Sequence, residues 1–176
     1  MYPAWSSLVL ALLLAIAAPL PAARAAAPLT AADAVHEMEV MGVAPDPSSG
    51  APLVYLRAKQ DKRELSMFIG PFEAQGIILP LQNMRPPRPY THDLMLEALH
   101  RLKAKVKQVV ITDLRDNTYY ANLVLDVQGQ EITLDSRPSD AIALALRENA
   151  PILAAEKAFA RSPRPSGPGP AERGAP

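Results

Sequence analysis

Two segments concentrate the side chains that could do chemistry. Asp135-Ser136-Arg137-Pro138-Ser139-Asp140 packs two carboxylates, a guanidinium and two hydroxyls into six residues, and the apolar run Ala141 to Leu146 follows. Carboxylates five residues apart across a turn suit one hard divalent cation, Mg²⁺ or Mn²⁺, because such ions take oxygen ligands. Asp135 and Asp140 are therefore candidate metal ligands. They equally suit a helix cap paired with Arg137. The second segment, Arg85-Pro86-Pro87-Arg88-Pro89-Tyr90-Thr91-His92-Asp93, is a proline-stiffened approach to a helix with Thr91 as its expected N-cap. His92 can serve as general base or metal ligand, with Asp93 as its orienting partner or co-ligand, or it can bond local backbone. Arg88 and Arg137, with the Ser139 hydroxyl, are candidate phosphate contacts; Arg101, Lys103, Lys105 and Lys107 extend the basic concentration, which also reads as a solvated face.

What is missing narrows the chemistry. There is no cysteine, which excludes disulfides, thiolate catalysis and thiolate-bound zinc. No Gly-rich phosphate loop, G-x-S-x-G elbow or H-E-x-x-H pair occurs. Basic and acidic residues balance at 18 each in the whole chain. Without Arg24 at the start and Arg161, Arg164, Arg173 and Glu172 at the end, 14 basic residues face 17 acidic ones. A domain gripping nucleic acid mainly by counterion release carries the opposite sign, so any polyanion site must be local.

The elements that must position these residues follow from patterning. Leu8 to Ala18 is unbroken apolar sequence, and Ala23-Arg24-Ala25 follows after two prolines. This reads as a signal peptide over 1–25 with cleavage near Ala25, implying a secreted or periplasmic protein. The run is shorter than the roughly 20 residues a membrane-spanning helix needs, so no stable insertion is expected after cleavage. Residues 26–34 read as a spacer, 35–160 as the folded domain, and the Pro/Gly/Ser-rich stretch 161–176 as a disordered tail. Period-two patterning places strands near 35–44, 52–58, 63–69, 106–113, 118–127 and 130–135, and 3.6-residue spacing places helices near 71–83, 92–103 and 138–148.

Shifting the chain by 67 residues lays Val43 on Val110, Asp46 on Asp113, Leu56 on Leu123, Glu64 on Glu131, Pro71 on Pro138, Ala74 on Ala141 and Leu79 on Leu146, while Glu73 meets Asp140. Loops, strand phases and helix starts coincide. The expected fold is α+β: a mixed sheet from two repeated βββα units joined by a connecting helix, with helices packed on the sheet. Both repeat helices open Pro-x-acid-Ala, a favourable start because proline presets φ and the acid meets the positive end of the helix dipole. Glu73, between Phe72 and Ala74, reads as scaffold, while Asp140 has the charged neighbours.

Three strings, RPYTHDLM at 88–95, LDSRPSDAIALALR at 134–147 and IGPFEAQGI at 69–77, resemble the bifunctional nuclease family over about residues 35–159. The resemblance implies a mixed α/β fold, self-association as a homo-oligomer, and DNA or RNA as substrate. Gly76 and Pro80 depart from the small helix formers that similar proteins carry in the first repeat helix. Two functions are then open. One is a divalent-metal-assisted nuclease using His92, Asp93, Asp135 and Asp140 with Arg88 and Arg137. The other is a non-catalytic binding or assembly domain of the cell envelope, in which the acidic helix starts are structural.

Overall fold

Apolar patterning along 35–68 and 104–136 gives two strand meanders, and in the middle of each, at Leu53–Leu56 and Ala121–Leu125, successive residues are buried, so both faces are covered. The computed structural model describes residues 34–159; the expected signal peptide and tail lie outside them. The first unit is β1 (Val35–Pro45), β2 (Pro52–Ala58), β3 (Glu64–Phe68) and α1 (Pro71–Leu81). The connector is α2 (Thr91–Arg101). The second unit is β4 (Ala104–Arg115), β5 (Thr118–Val127), β6 (Gln130–Ser136) and α3 (Pro138–Glu148), and β7 (Ile152–Ala155) and α4 (Glu156–Phe159) close the described chain.

One seven-stranded sheet runs in the order β3-β2-β1-β7-β4-β5-β6. Each meander is antiparallel throughout, and β7 lies between them, antiparallel to β1 and parallel to β4. The α+β expectation holds, and the strand order is symmetric about β7 as a duplicated βββα unit requires. α1 and α3 coincide at the 67-residue offset.

The turns carry the residues their geometry needs. Asp116 and Asn117 have φ of 48° and 59°, and Gln128 and Gly129 have 55° and 88°, the paired positive values of two-residue hairpin turns. In the first hairpin the Asp46 carboxylate accepts from the Ser48 and Ser49 amides at 3.2 and 2.9 Å. Gly42, with φ of 144°, sits where the β1–β2 register slips, a conformation that a side chain would disfavour.

The core lies between the sheet and the helices. Met38, Val54, Leu56, Leu65, Met67, Val109, Ile111, Leu123 and Leu125 meet Ile77 of α1, Leu96 of α2 and Ile142 and Leu144 of α3. Fully burying side chains such as Ile142 and Leu144 contributes about 1.5–3 kcal/mol each. The Tyr119 hydroxyl donates to the Ser66 carbonyl at 3.2 Å. That joins β5 to β3, which stand on opposite sides of β7 in the strand order, so the sheet must curl. The curl brings the two helix-bearing ends together.

Two elements depart from expectation. The short β7 and α4 were not anticipated, because a four-residue strand has no readable alternation and gains its pairing only from β1 and β4. At α2 the N-cap is Tyr90, not Thr91, since the Asp93 carboxylate accepts from the Tyr90 amide at 2.8 Å and draws the helix start one residue forward.

Candidate functional site

Each repeat helix points its first turn at the other. Arg137 caps α3 in extended conformation (φ −67°, ψ 137°), and Pro138 takes the first helical position. From there the Arg137 guanidinium clasps Asp140 with both ends, Nε to Oδ2 at 2.6 Å and Nη2 to Oδ1 at 3.0 Å. Nη1 donates across the helix pair to Glu73 Oε1 of α1 at 2.9 Å. Three of the five guanidinium N–H groups are thereby engaged, and the side chain stays 65% exposed. His92, in the first turn of α2, completes the group with Nε2 3.3 Å from Asp140 Oδ1. Four side chains from three helices thus meet at one rim.

His92 reaches this place through a gap left by Gly76. A methyl group built on Gly76 would lie 2.7 Å from His92 Cε1 and 3.6 Å from the Ala143 methyl. The glycine that weakens α1 as a helix is what lets the imidazole slot between α1 and α3. A buckle on α3 fixes α2 in the same position. The mostly buried Arg147 donates from Nε to Asp93 Oδ1 at 2.6 Å, and from Nη1 to the Gly76 and Ala143 carbonyls at 2.6 and 2.8 Å. Asp93 therefore pins α2 and has both oxygens engaged.

The electrostatics follow from these contacts. Burial opposes ionisation of Asp140, but the hydrogen bonds and charges of Arg137 and His92 outweigh it and hold the carboxyl below its ordinary pKa. Asp93 is likewise held low against burial by Arg147 and the Tyr90 amide. Hydrogen bonding to Asp140, then its charge, raises Arg137. An ionised Asp140 is an acceptor that orients its neighbours. The imidazole of His92 is the side chain in the group that pairs a donor nitrogen with an acceptor nitrogen.

The other expected site residues lie apart. Asp135 is exposed on β6, in register with Asn122. Strand alternation turns it to the face opposite Leu134 and Ser136, and the acids that Arg137 pairs with are Asp140 and Glu73. Among the described residues no group of three or more His, Asp or Glu side chains is placed to hold a metal ion. Between Glu73 and Asp140, where a cation would neutralise both carboxylates, stands the guanidinium of Arg137. This arrangement does not fit an ion held by Asp135 and Asp140. Arg88 is exposed ahead of α2 and is not among the residues lining the cleft beside Arg137. Ser139 is 7% exposed and lines a cleft of about 290 Å³ together with Arg137, Glu73, Phe68, Asn117 and Tyr119.

Two members of this arrangement are not singled out by the sequence. Glu73 was assigned to the scaffold, although the 67-residue offset pairs it with Asp140. Helices related by a two-fold meet near the axis, so equivalent acids converge on whichever cation stands there. Arg147 had a subtler signal: a charge ending the otherwise apolar stretch 141–146 must find partners when its helix is buried.

The fold and the site define an α+β domain made of two βββα units whose helix starts share one Arg–carboxylate–imidazole group. A profile of the bifunctional nuclease domain matches residues 54–165. Uncharacterized proteins from two strains of Mycobacterium tuberculosis are 37% identical over 126 residues, covering 72% of this chain and 75% of theirs. Bifunctional nuclease 1 of Oryza sativa subsp. indica and the bifunctional nuclease of Oryza minuta are 37% identical over 98 residues, covering 53% of this chain and 30% of theirs. The chain belongs to the bifunctional nuclease domain family.

Proposed function

We propose that the domain hydrolyses phosphodiester bonds of DNA or RNA at the rim formed by Glu73, His92, Arg137 and Asp140. The observation that carries this reading is the convergence of those four side chains from three helices beside a cleft. The two free N–H groups of Arg137 and the Ser139 hydroxyl suit a phosphate oxygen. At 3.3 Å from Asp140 Oδ1, His92 Nε2 donates its proton to the carboxylate, which leaves Nδ1 of the neutral ring as the nitrogen that accepts one. In the proposed step the water gives its proton to His92 as its oxygen attacks phosphorus. The P–O bond to the leaving oxygen breaks, and that oxygen is protonated from solvent. Asp140 orients His92 and Arg137 throughout, and Glu73 fixes the far side of the guanidinium.

The test incubates purified protein with single-stranded DNA and with RNA, in Mg²⁺ or Mn²⁺ and in EDTA, beside the H92A and D140N variants. Cleavage lost in both variants at unchanged folding supports the site. Full cleavage by folded variants places it elsewhere. The EDTA arm decides whether a divalent ion assists.

A second reading has its own observation: both oxygens of Asp140 are already engaged and its pKa is held low, which suits a binding or assembly module without turnover. Substrate binding without cleavage in every arm would favour it. The apolar leader Leu8 to Ala18 supports export to the periplasm or beyond, and mass spectrometry of the mature protein would show cleavage near Ala25. Among the described residues no helix is long and apolar enough to cross a membrane. Membership of the family supports self-association, which sedimentation would read.

A further inference from the structure

The cleft beside Arg137 contains more than a phosphate contact requires. Its lining includes Phe68 at the end of β3; Phe72 is not itself in the lining but lies in the first turn of α1, between Gly70 and Glu73 in the chain, which are. Phe68 is 53% exposed and Phe72 84%. Among the described residues neither ring belongs to the core, which closes through Leu65, Met67 and Ile77. On the facing wall the 116–117 turn contributes Asn117, followed by Thr118, and α3 contributes Ser139. Ser139 is largely buried, and what remains exposed lines the cleft. One flat apolar face, that of Phe68, side-chain amide and hydroxyl groups, and a guanidinium with N–H groups to spare therefore border one small space, and a second exposed ring, Phe72, follows in the adjoining helix turn.

We propose that this cleft is a subsite for one unpaired nucleotide of a single strand, its base stacked on Phe68 and Phe72 and its phosphate held by Arg137 and Ser139. The inference rests on the nucleic-acid reading above and adds a preference to it. Aromatic faces stack on any base, but only when the base is free of a duplex stack. At about 290 Å³ the space is at the lower end of small-molecule sites, which suits one nucleotide and excludes a helix. Glu73 lines the same space, but its carboxylate accepts from Arg137 Nη1, which offsets its repulsion of an anion. Asn117 and Thr118 are placed for the polar edge of the base. The strand would then run from this subsite past Arg137 to His92.

The test measures fluorescence anisotropy of a labelled single-stranded oligonucleotide with the full chain carrying H92A, so that binding is read apart from cleavage. F68A and F72A should each weaken binding about fivefold or more. F72W should restore it, and L94A, at an exposed apolar position on α2, should leave it unchanged. A duplex of the same sequence should bind at least about tenfold more weakly at the same salt. Ring variants that bind like the parent, or a duplex that binds like the single strand, would overturn the subsite. So would a change of oligomeric state in F72A by sedimentation with unaltered affinity, since the ring would then be an interface between copies. Ring-dependent binding without cleavage would remove the hydrolysis reading and leave the subsite standing. Cleavage without ring dependence would do the opposite.

Discussion

Two clusters in this molecule are built from the same four residue types, and they differ in how fully the central cation is enclosed. His36, Asp61, Arg63 and Glu156 gather where α4 returns to β1. His92, Glu73, Arg137 and Asp140 gather where the two repeat helices begin. In the first, Arg63 donates to Asp61 at 2.7 Å and to both oxygens of Glu156 at 2.7 and 3.1 Å, and it contacts His36 at 2.7 Å. Its guanidinium lies 4.5 Å from the centre of the Phe159 ring, and His36 meets that ring edge-on at 5.5 Å. Hydrogen bonds from Glu156 and then Asp61 raise the Arg63 pKa far above its ordinary value. Every side of this cation has a partner, so the cluster is a clasp holding the C-terminal helix. Arg137 is held at both ends, by Asp140 and by Glu73, but keeps two N–H groups unengaged, stays 65% exposed and lines a cleft. The residue list does not separate a clasp from a site; the unengaged N–H groups of the central cation do.

Four experiments would break or sharpen that contrast. The largest expected effect is on turnover: H92A should cut cleavage by about a hundredfold or more, the usual worth of a general base, while H36A leaves cleavage unchanged in the same assay. Next is the buckle behind the site. R147A leaves Asp93 and two carbonyls without their donor, and chemical denaturation should show a loss of about 1–3 kcal/mol. Third, R63A should lower stability by about 1 kcal/mol, because its ion pairs are largely exposed, with cleavage intact. R137A should show the reverse, with stability near the parent's and cleavage reduced.

The smallest effect is on acid stability. The carboxyls of Asp140 and Asp93 titrate below their ordinary range in the folded protein. The unfolded chain therefore binds protons more readily than the folded one in that window, and stability rises with pH through it. The contribution is fully present above about pH 4, the unfolded carboxyl value, and is lost as pH falls through the lowered folded values. D140N should flatten the acid limb of a stability-against-pH curve. If D61N at the clasp flattened it equally, the two clusters would not differ in this respect.

Much of the fold was legible. Strand alternation, hairpin residues such as Asn117 and Gly129, and proline at both helix starts are local signals, and the 67-residue offset turned them into a duplicated α+β domain. His92, Arg137, Ser139 and Asp140 stood out because charged and hydroxyl groups at a strand-to-helix junction are locally dense. Asp135 stood out for the same reason, but density along the chain does not say which face of a strand a side chain takes. β7 could not be read because its pairing partners, β1 and β4, are distant in sequence.

The sequence by itself determined the elements, the repeat and the candidate side chains, because propensity, alternation and capping act over a few residues. Only the tertiary structure decided that Glu73 belongs to the site, that Asp93 is committed to Arg147, and that Gly76 is the opening through which His92 reaches Asp140. Those outcomes depend on how two helices 67 residues apart approach across a curled sheet. That approach is set by side-chain volumes in the shared core, which no local pattern records.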